Sequence, residues 1–246
     1  NTMPQLRLQN ATFPLAQRKK LNIENLTIQA NDFWAIVGGN GSGKSALAQA
    51  LCGKIPCSVG ELQNDFQRIA MLSFEQQQKI IEAIFNDRNN DTVSPDDFGL
   101  TARQVILADA KNENLCQEYA AKLEITSLLE RPFMQLSTGE SRKVLFCQML
   151  VSEPDLLILD EPFEGLDQAS QRYWQQLMME IRKKMTVVLI VNRFGDIPTC
   201  ATHIALLDSL QLILQGKRAD IEQQAVYSQL KFAEENVCSP LPESLS

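Results

Sequence analysis

The chain has 246 residues, 44% of them hydrophobic, which is enough to bury the core of one domain with a subdomain. A net charge of −7 argues against a nucleic-acid surface, which needs a basic patch, and Arg18-Lys19-Lys20 is too short to supply one. No run approaches the ~18 apolar residues of a membrane span, and the start holds no secretory apolar core. The six cysteines (52, 57, 116, 147, 200, 238) form no C-x-x-C pair and neighbour no histidine. Buried thiols in a reducing cytoplasm are therefore expected rather than a disulfide framework or a metal site.

In chain order, residues 3 to 75 read as antiparallel entry strands followed by a buried strand, Phe33-Trp34-Ala35-Ile36-Val37. Next comes Gly38-Gly39-Asn40-Gly41-Ser42-Gly43-Lys44-Ser45, which fits G-x-x-x-x-G-K-[ST] and runs into a helix at Ala46. Glycines at 38, 39, 41 and 43 let backbone N–H groups turn toward an anion, and the helix adds its positive end. Lys44 would reach β- and γ-phosphates, and Ser45 would offer a hydroxyl to Mg²⁺. This pattern points to a nucleoside triphosphate.

Arg68 to Ser73 reads as a further strand, and residues about 76 to 150 as an inserted, largely helical subdomain. Within it, Asn86 to Asp97 is polar, acidic and turn-rich, and is expected to be a loop. Helical pattern resumes at Ala102 to Leu107. Leu136-Ser137-Thr138-Gly139-Glu140 opens another helix through Val144, Leu145 and Met149, with Ser137 and Glu140 at capping-box spacing. Leu156-Leu157-Ile158-Leu159 is a continuous apolar run, as in a strand buried on both faces, and it ends in Asp160-Glu161-Pro162. Carboxylates at the carboxyl end of such a strand lie where open α/β sheets bind ligands. Asp160 would hold Mg²⁺, and Glu161 would orient or deprotonate an attacking water. A helix from Gln171 to Lys184 and strands at Thr186–Val191, Thr202–Leu207 and Gln211–Gly216 follow. Val237 to Ser246 reads as linker, so the expected domain covers residues 1–228 and a tail covers 229–246.

The phosphate loop, the pentapeptide at 136–140 and Asp160-Glu161-Pro162 together resemble the ABC ATPases. Their signature is usually written LSGGQ and their second carboxylate motif Walker B. The resemblance extends over about residues 3 to 215. It implies an α/β fold: a P-loop NTPase with a mostly parallel central sheet, an antiparallel β subdomain and an inserted helical subdomain. It also implies that Ser137, Gly139 and the helix N-terminus address the γ-phosphate held by an opposing domain, with Glu140 completing that site. Phe163-Glu164-Gly165-Leu166-Asp167 resembles the D-loop, with Asp167 at the dimer contact. The implied activity is hydrolysis of Mg-ATP in a head-to-tail sandwich of two such domains, joined in one chain or as a homodimer. The implied partner is a membrane permease, with a cytoplasmic site of action on the inner face of the membrane. Leu72 to Gln76, Leu136 to Lys143 and Asn192-Arg193-Phe194 resemble more closely a tandem-domain branch of the family linked to molybdenum transport. One copy of each motif is present, so the chain reads as one half cut near an interdomain linker, with Asn1-Thr2 a remnant ahead of Met3.

Three positions depart from the family pattern. The switch position, normally histidine, carries Asn192, whose amide can hydrogen-bond a phosphate or water but takes no proton near neutral pH. The only histidine, His203, falls in a different strand and reads as a strand-edge residue. The glutamine expected directly after the Arg68–Ser73 strand is displaced to Gln76, which is either a Mg²⁺ and water contact or an ordinary solvated helix residue. Phe13 stands near the place of the adenine-stacking aromatic but reads equally well as core. These departures favour, beside an ATPase motor, a soluble nucleotide-gated module with little hydrolysis. Another P-loop enzyme, such as a small-molecule kinase, would lack the signature and D-loop.

Overall fold

Alternating apolar and polar residues make β1 (Gln5–Pro14) and β2 (Lys20–Gln29) a half-buried antiparallel pair. Leu6 faces Ile28, Leu8 faces Leu26, Ala11 faces Ile23 and Phe13 faces Leu21, all of them buried, while the intervening polar residues are mostly exposed. The computed structural model describes residues 2–90, 99–162, 164 and 166–238. They divide into two compact units, Asn1–Asp65 with Thr186–Ser246, and Phe66–Met185.

In the first unit, β3 (Phe33–Gly38) is buried from end to end, as its unbroken apolar run requires. It pairs in parallel with β7 (Thr186–Val191) on one side and β8 (His203–Asp208) on the other. The hairpin strand β9 (Gln211–Lys217) runs antiparallel to β8 and meets β2 at Asn22. An exposed strand, β4 (Val59–Asn64), closes the other edge of β1. Helices α1 (Lys44–Leu51), α7 (Arg218–Glu222) and α8 (Ala225–Cys238) complete the unit.

The β1–β4 register shifts between Gln9 and Thr12, and Gly60 stands opposite that irregularity at φ +81°. A Cβ on Gly60 would lie 2.1 Å from the carbonyl oxygen of Asn10, in a strand that cannot retreat because β2 holds its other edge. Gly60→Ala is expected to destabilise the chain by about 3 kcal/mol through strain and overlap, read as a lowered thermal midpoint with nucleotide affinity unchanged.

In the second unit, β5 (Ile69–Ser73) pairs in parallel with β6 (Leu156–Asp160), Ser73 opposite Asp160. The pair is entered through Asp155, whose carboxylate accepts from the N–H groups of Gln67 and Arg68 at 2.8 Å each. The helices are α2 (Phe74–Asn90), α3 (Ala102–Ile106), α4 (Glu113–Lys122), α5 (Thr138–Val151) and α6 (Gln168–Ile181). Leu145, Phe146, Cys147 and Leu150 bury the inner face of α5, and Phe146 meets Trp174 of α6 edge-on at 4.8 Å.

Three boundaries differ from the sequence expectation. Asn86–Asn90 belong to α2 rather than to a loop, and positions 91 to 97 of that segment lie outside the described residues. α6 begins at Gln168, three residues early, because the Asp167 side chain accepts from Ser170 N–H at 2.7 Å and caps it. α8 runs straight through the expected boundary at 228/229, so Val237 and Cys238 are helical, and the rest of the expected linker, 239–246, lies outside the described residues.

Candidate functional site

The loop 38–45 leaves the carboxyl end of β3 and becomes α1 at Lys44. Gly41 and Gly43 adopt φ +75° and +105°, a region L-residues avoid, and so let the chain turn tightly, with Ser42 N–H donating to the Gly39 carbonyl at 3.2 Å. Gly38 is required for space: a Cβ there would stand 2.4 Å from Ser42 Oγ and 3.1 Å from the Leu207 carbonyl oxygen. Lys44 is only 7% exposed and donates from Nζ to the carbonyl oxygens of Gly38 and Gly39, at 2.8 Å each. Its charge is thereby fixed at the loop itself. Ser42 Oγ is buried without a hydrogen-bond partner, while Asn40, Gly41 and Ser45 face solvent and Ala46 is half-buried. A fixed cation, a helix start and an unsatisfied hydroxyl within one turn of glycine-rich chain fit a phosphate group.

One support of this loop has no sequence signature. The β8–β9 hairpin turns at Ser209 and Leu210, with φ +48° and +63°. Such a turn normally takes Asn or Gly. Leu210 N–H donates to the Ser42 carbonyl at 2.9 Å, and its own carbonyl accepts from Asn22 N–H at 2.9 Å. Its side chain also covers Gly43, where a Cβ would lie 2.7 Å from Leu210 Cδ2. The turn's strain is held by these contacts.

Asn192 follows β7, whose Val191 is in register with Val37 of β3, so it stands at the same strand ends as the loop. Its Oδ1 is buried and has no hydrogen-bond partner. His203 is at the opposite end, paired with Trp34 in register and stacked on its indole at 4.6 Å, with Thr202 Oγ1 2.8 Å from Nδ1. It occupies a strand start, remote from the loop. Phe13 is wholly buried between strands, 0% exposed, so of its two readings the packing fits core and its ring offers no face to a base.

In the second unit, Asp160 ends β6 and is buried, and Glu161 follows with a half-buried side chain and φ +52°. That backbone conformation is uncommon for a non-glycine residue. Gln76 lies in the first turn of α2, its N–H donating to Ser73 Oγ at 2.9 Å. Because Ser73 faces Asp160 in register, Gln76 and the two carboxylates share one end of the strand pair. Gln76 Oε1 is buried without a hydrogen-bond partner, unlike that of an ordinary solvated residue.

The signature segment is a full capping box. Ser137 Oγ accepts from Glu140 N–H at 3.2 Å, and Glu140 Oε1 accepts from Ser137 N–H at 2.9 Å. The Ser137 N–H holds the Glu140 carboxyl below the usual range. Ser137, Thr138 and Gly139 stay exposed at the helix start. Five residues past Ser137, buried Arg142 donates to the Glu164 carbonyl at 2.9 Å and ties this helix to the segment after β6. Arg142 was not singled out by sequence reasoning, because an arginine on a helix carries no sign of burial. Asp167, the expected dimer contact, is exposed and caps α6; Phe163 and Gly165 lie outside the described residues.

Among the described residues no group of three or more His, Cys, Asp or Glu could hold a metal ion, and no helix is long and apolar enough to cross a membrane.

The loop and the strand arrangement around β3 define a P-loop nucleotide-binding domain. The family described as ABC transporter matches residues 21–164. Over 244 residues, 98% of this chain and 50% of the relative, it is 43% identical to the ABC transporter ATP-binding protein ModF of Escherichia coli (strain K12). It is also 29% identical over 230 residues to the energy-coupling factor transporter ATP-binding protein EcfA of Onion yellows phytoplasma (strain OY-M), covering 90% of this chain and 82% of that one. Solved structures share the fold: cbiO1 from Clostridium perfringens superposes with a TM-score of 0.71 at 21% identity, covering 97% of each chain. A bacterial Atm1-family ABC exporter with ATP bound gives 0.74 at 20% identity, over 98% of this chain and 43% of that one. The chain therefore belongs to the ABC transporter family, as one of its ATPase domains with the ABC ATPase fold. It spans about half the length of ModF.

Proposed function

We propose that this domain binds Mg-ATP on the 38–45 loop and hydrolyses it slowly, in a head-to-tail pairing with a second ABC domain. The observation that carries the reading is the seating of Lys44 Nζ on the Gly38 and Gly39 carbonyls beside the unpartnered Ser42 Oγ. In the family pattern Lys44 neutralises phosphate charge, Ser45 and Asp160 hold Mg²⁺ with Gln76 nearby, and Glu161 orients or deprotonates the attacking water. Mg²⁺, when bound, withdraws charge from the phosphate oxygens. Ser137 through its hydroxyl and Gly139 through its N–H, both exposed at the α5 start, address the γ-phosphate of an opposing domain, and Asp167 meets that domain. The tandem resemblance supports a second ABC domain and a membrane permease as partners. Molybdenum as the cargo rests on that resemblance alone, since the loop chemistry is that of a nucleotide.

Asn192 favours a second reading, a nucleotide-gated module in which ATP holds a closed pair and turnover is residual. Its amide accepts or donates a hydrogen bond at the γ-phosphate but relays no proton. Steady-state phosphate release separates the two. With a second ABC domain present, Asn192→His is expected to raise turnover about a hundredfold, the lower end of what one positioned proton-transfer group contributes. Unchanged turnover would remove Asn192 as the cause of slow hydrolysis.

A further inference from the structure

Helix α8 is held to its unit in an unusual way. It is 14 residues long, yet among the side chains from Ala225 to Val237 only Tyr227 is buried and only Glu234 is half-buried. These two are seven residues apart, two turns along one helix face. Both touch the same residue, Phe194, in the short turn Phe194–Asp196 that follows Asn192. The Tyr227 and Phe194 rings meet edge to face at 5.0 Å and 88°. The Glu234 carboxylate accepts from Phe194 N–H with both oxygens, at 3.0 and 3.2 Å.

That N–H is the first of a helical turn and has no partner within it. The preceding Arg193 caps the turn with no side-chain hydrogen bond, so the carboxylate from 40 residues downstream performs the capping. Beyond Phe194, the turn closes on itself through Asp196 N–H to Arg193 O and Ile197 N–H to Phe194 O, with Arg193 Nε 3.5 Å from Asp196 Oδ2. Asn192 is therefore two residues from a rigid turn whose entry amide is fixed by α8. A shift of either Asn192 or α8 must be taken up by the other or by breaking the Glu234 contact.

We propose that Glu234 is a positioning residue for Asn192, and that through it α8 and the switch loop move as one body, so that nucleotide at the loop is read out as a change in α8. The coupling is reciprocal: whatever holds α8 biases where Asn192 stands, and so biases nucleotide binding by the same factor. The inference rests on the reading that Asn192 meets the γ-phosphate. The Glu234 clamp itself stands on geometry independent of nucleotide.

Amide hydrogen exchange on the whole chain tests both parts, without nucleotide and with a non-hydrolysable ATP analogue plus Mg²⁺. In nucleotide-free protein, Glu234→Ala is expected to speed exchange at Phe194 N–H about tenfold or more, the size of one lost hydrogen bond to a carboxylate. Glu234→Gln, which keeps an acceptor oxygen, stays close to the parent. The analogue alters protection across Tyr227–Glu234 in the parent and in Glu234→Gln, and no longer does so in Glu234→Ala. A merely structural role for Glu234 predicts no such nucleotide-dependent difference. Unchanged Phe194 exchange in Glu234→Ala, or an α8 response that survives it, overturns the proposal. Should Glu234→Ala melt α8 altogether, Glu234→Asp, one methylene short, weakens Phe194 protection while the helix persists, and equal protection there counts against the clamp. Asn192→Ala separates the two readings: a full α8 response in that variant sinks the coupling through Asn192, whereas failure of the parent to bind the analogue sinks the nucleotide reading and leaves the clamp to be judged at Phe194.

Discussion

Lys44→Ala is expected to weaken Mg-ATP binding about a hundredfold, close to 3 kcal/mol, as read by titration calorimetry. The size follows from the geometry. Nζ is buried and already fixed by two carbonyl oxygens, so its charge meets a phosphate without first losing side-chain freedom. Two charge-assisted hydrogen bonds at ~1.5 kcal/mol or more each account for the loss. The fold should survive, because β3 keeps both of its parallel neighbours. Lys44→Arg is not a rescue: a planar, forked guanidinium does not fit a niche that leaves the lysine 7% exposed. Affinity within threefold of the parent in Lys44→Ala would show that the phosphates sit elsewhere.

Glu161→Gln should leave Mg-ATP affinity unchanged while lowering turnover about a hundredfold or more, the usual weight of a positioned general base. The amide keeps the size of the carboxylate and one acceptor oxygen but takes no proton. Glutamine also tolerates the φ of +52° as well as glutamate does, so the substitution tests chemistry rather than fold. The measurement is phosphate release at saturating ATP with a second ABC domain present, alongside a binding isotherm. A variant that keeps more than a third of parental turnover would falsify the assignment of Glu161.

Much of this was legible from the chain alone because burial writes itself into continuous apolar runs. β3, β6, β7 and β8 sit close to where those runs lie, and Ser137 with Glu140 announced the start of α5 by their spacing. What escaped was set by contacts between distant segments. α6 starts three residues before the expected Gln171 because Asp167, which the D-loop resemblance sets at a dimer contact, caps it. α8 extends into the expected tail, and its apolar positions mislead about burial: Val226, Leu230 and Val237 fall at helical spacing yet are exposed, and the helix is anchored through Tyr227 and Glu234 instead. Phe13 had two readings, and its burial, which no local pattern reveals, is what favours core. The Ser209–Leu210 turn breaks the local rule that would have revealed it; its left-handed backbone is imposed from outside, by Ser42 and Asn22.

That turn also sets an order of assembly. The glycine loop is made first, but the N–H that ties down its Ser42 carbonyl belongs to Leu210, made about 170 residues later, a delay of roughly ten to thirty seconds at ordinary elongation rates. β7 and β8, which flank β3, arrive almost as late. Until then a nascent chain carries its most recognisable segment exposed, beside a hydrophobic strand whose parallel partners have not yet been made. The first unit closes around its own middle, and the phosphate loop is among the last parts of it to be finished.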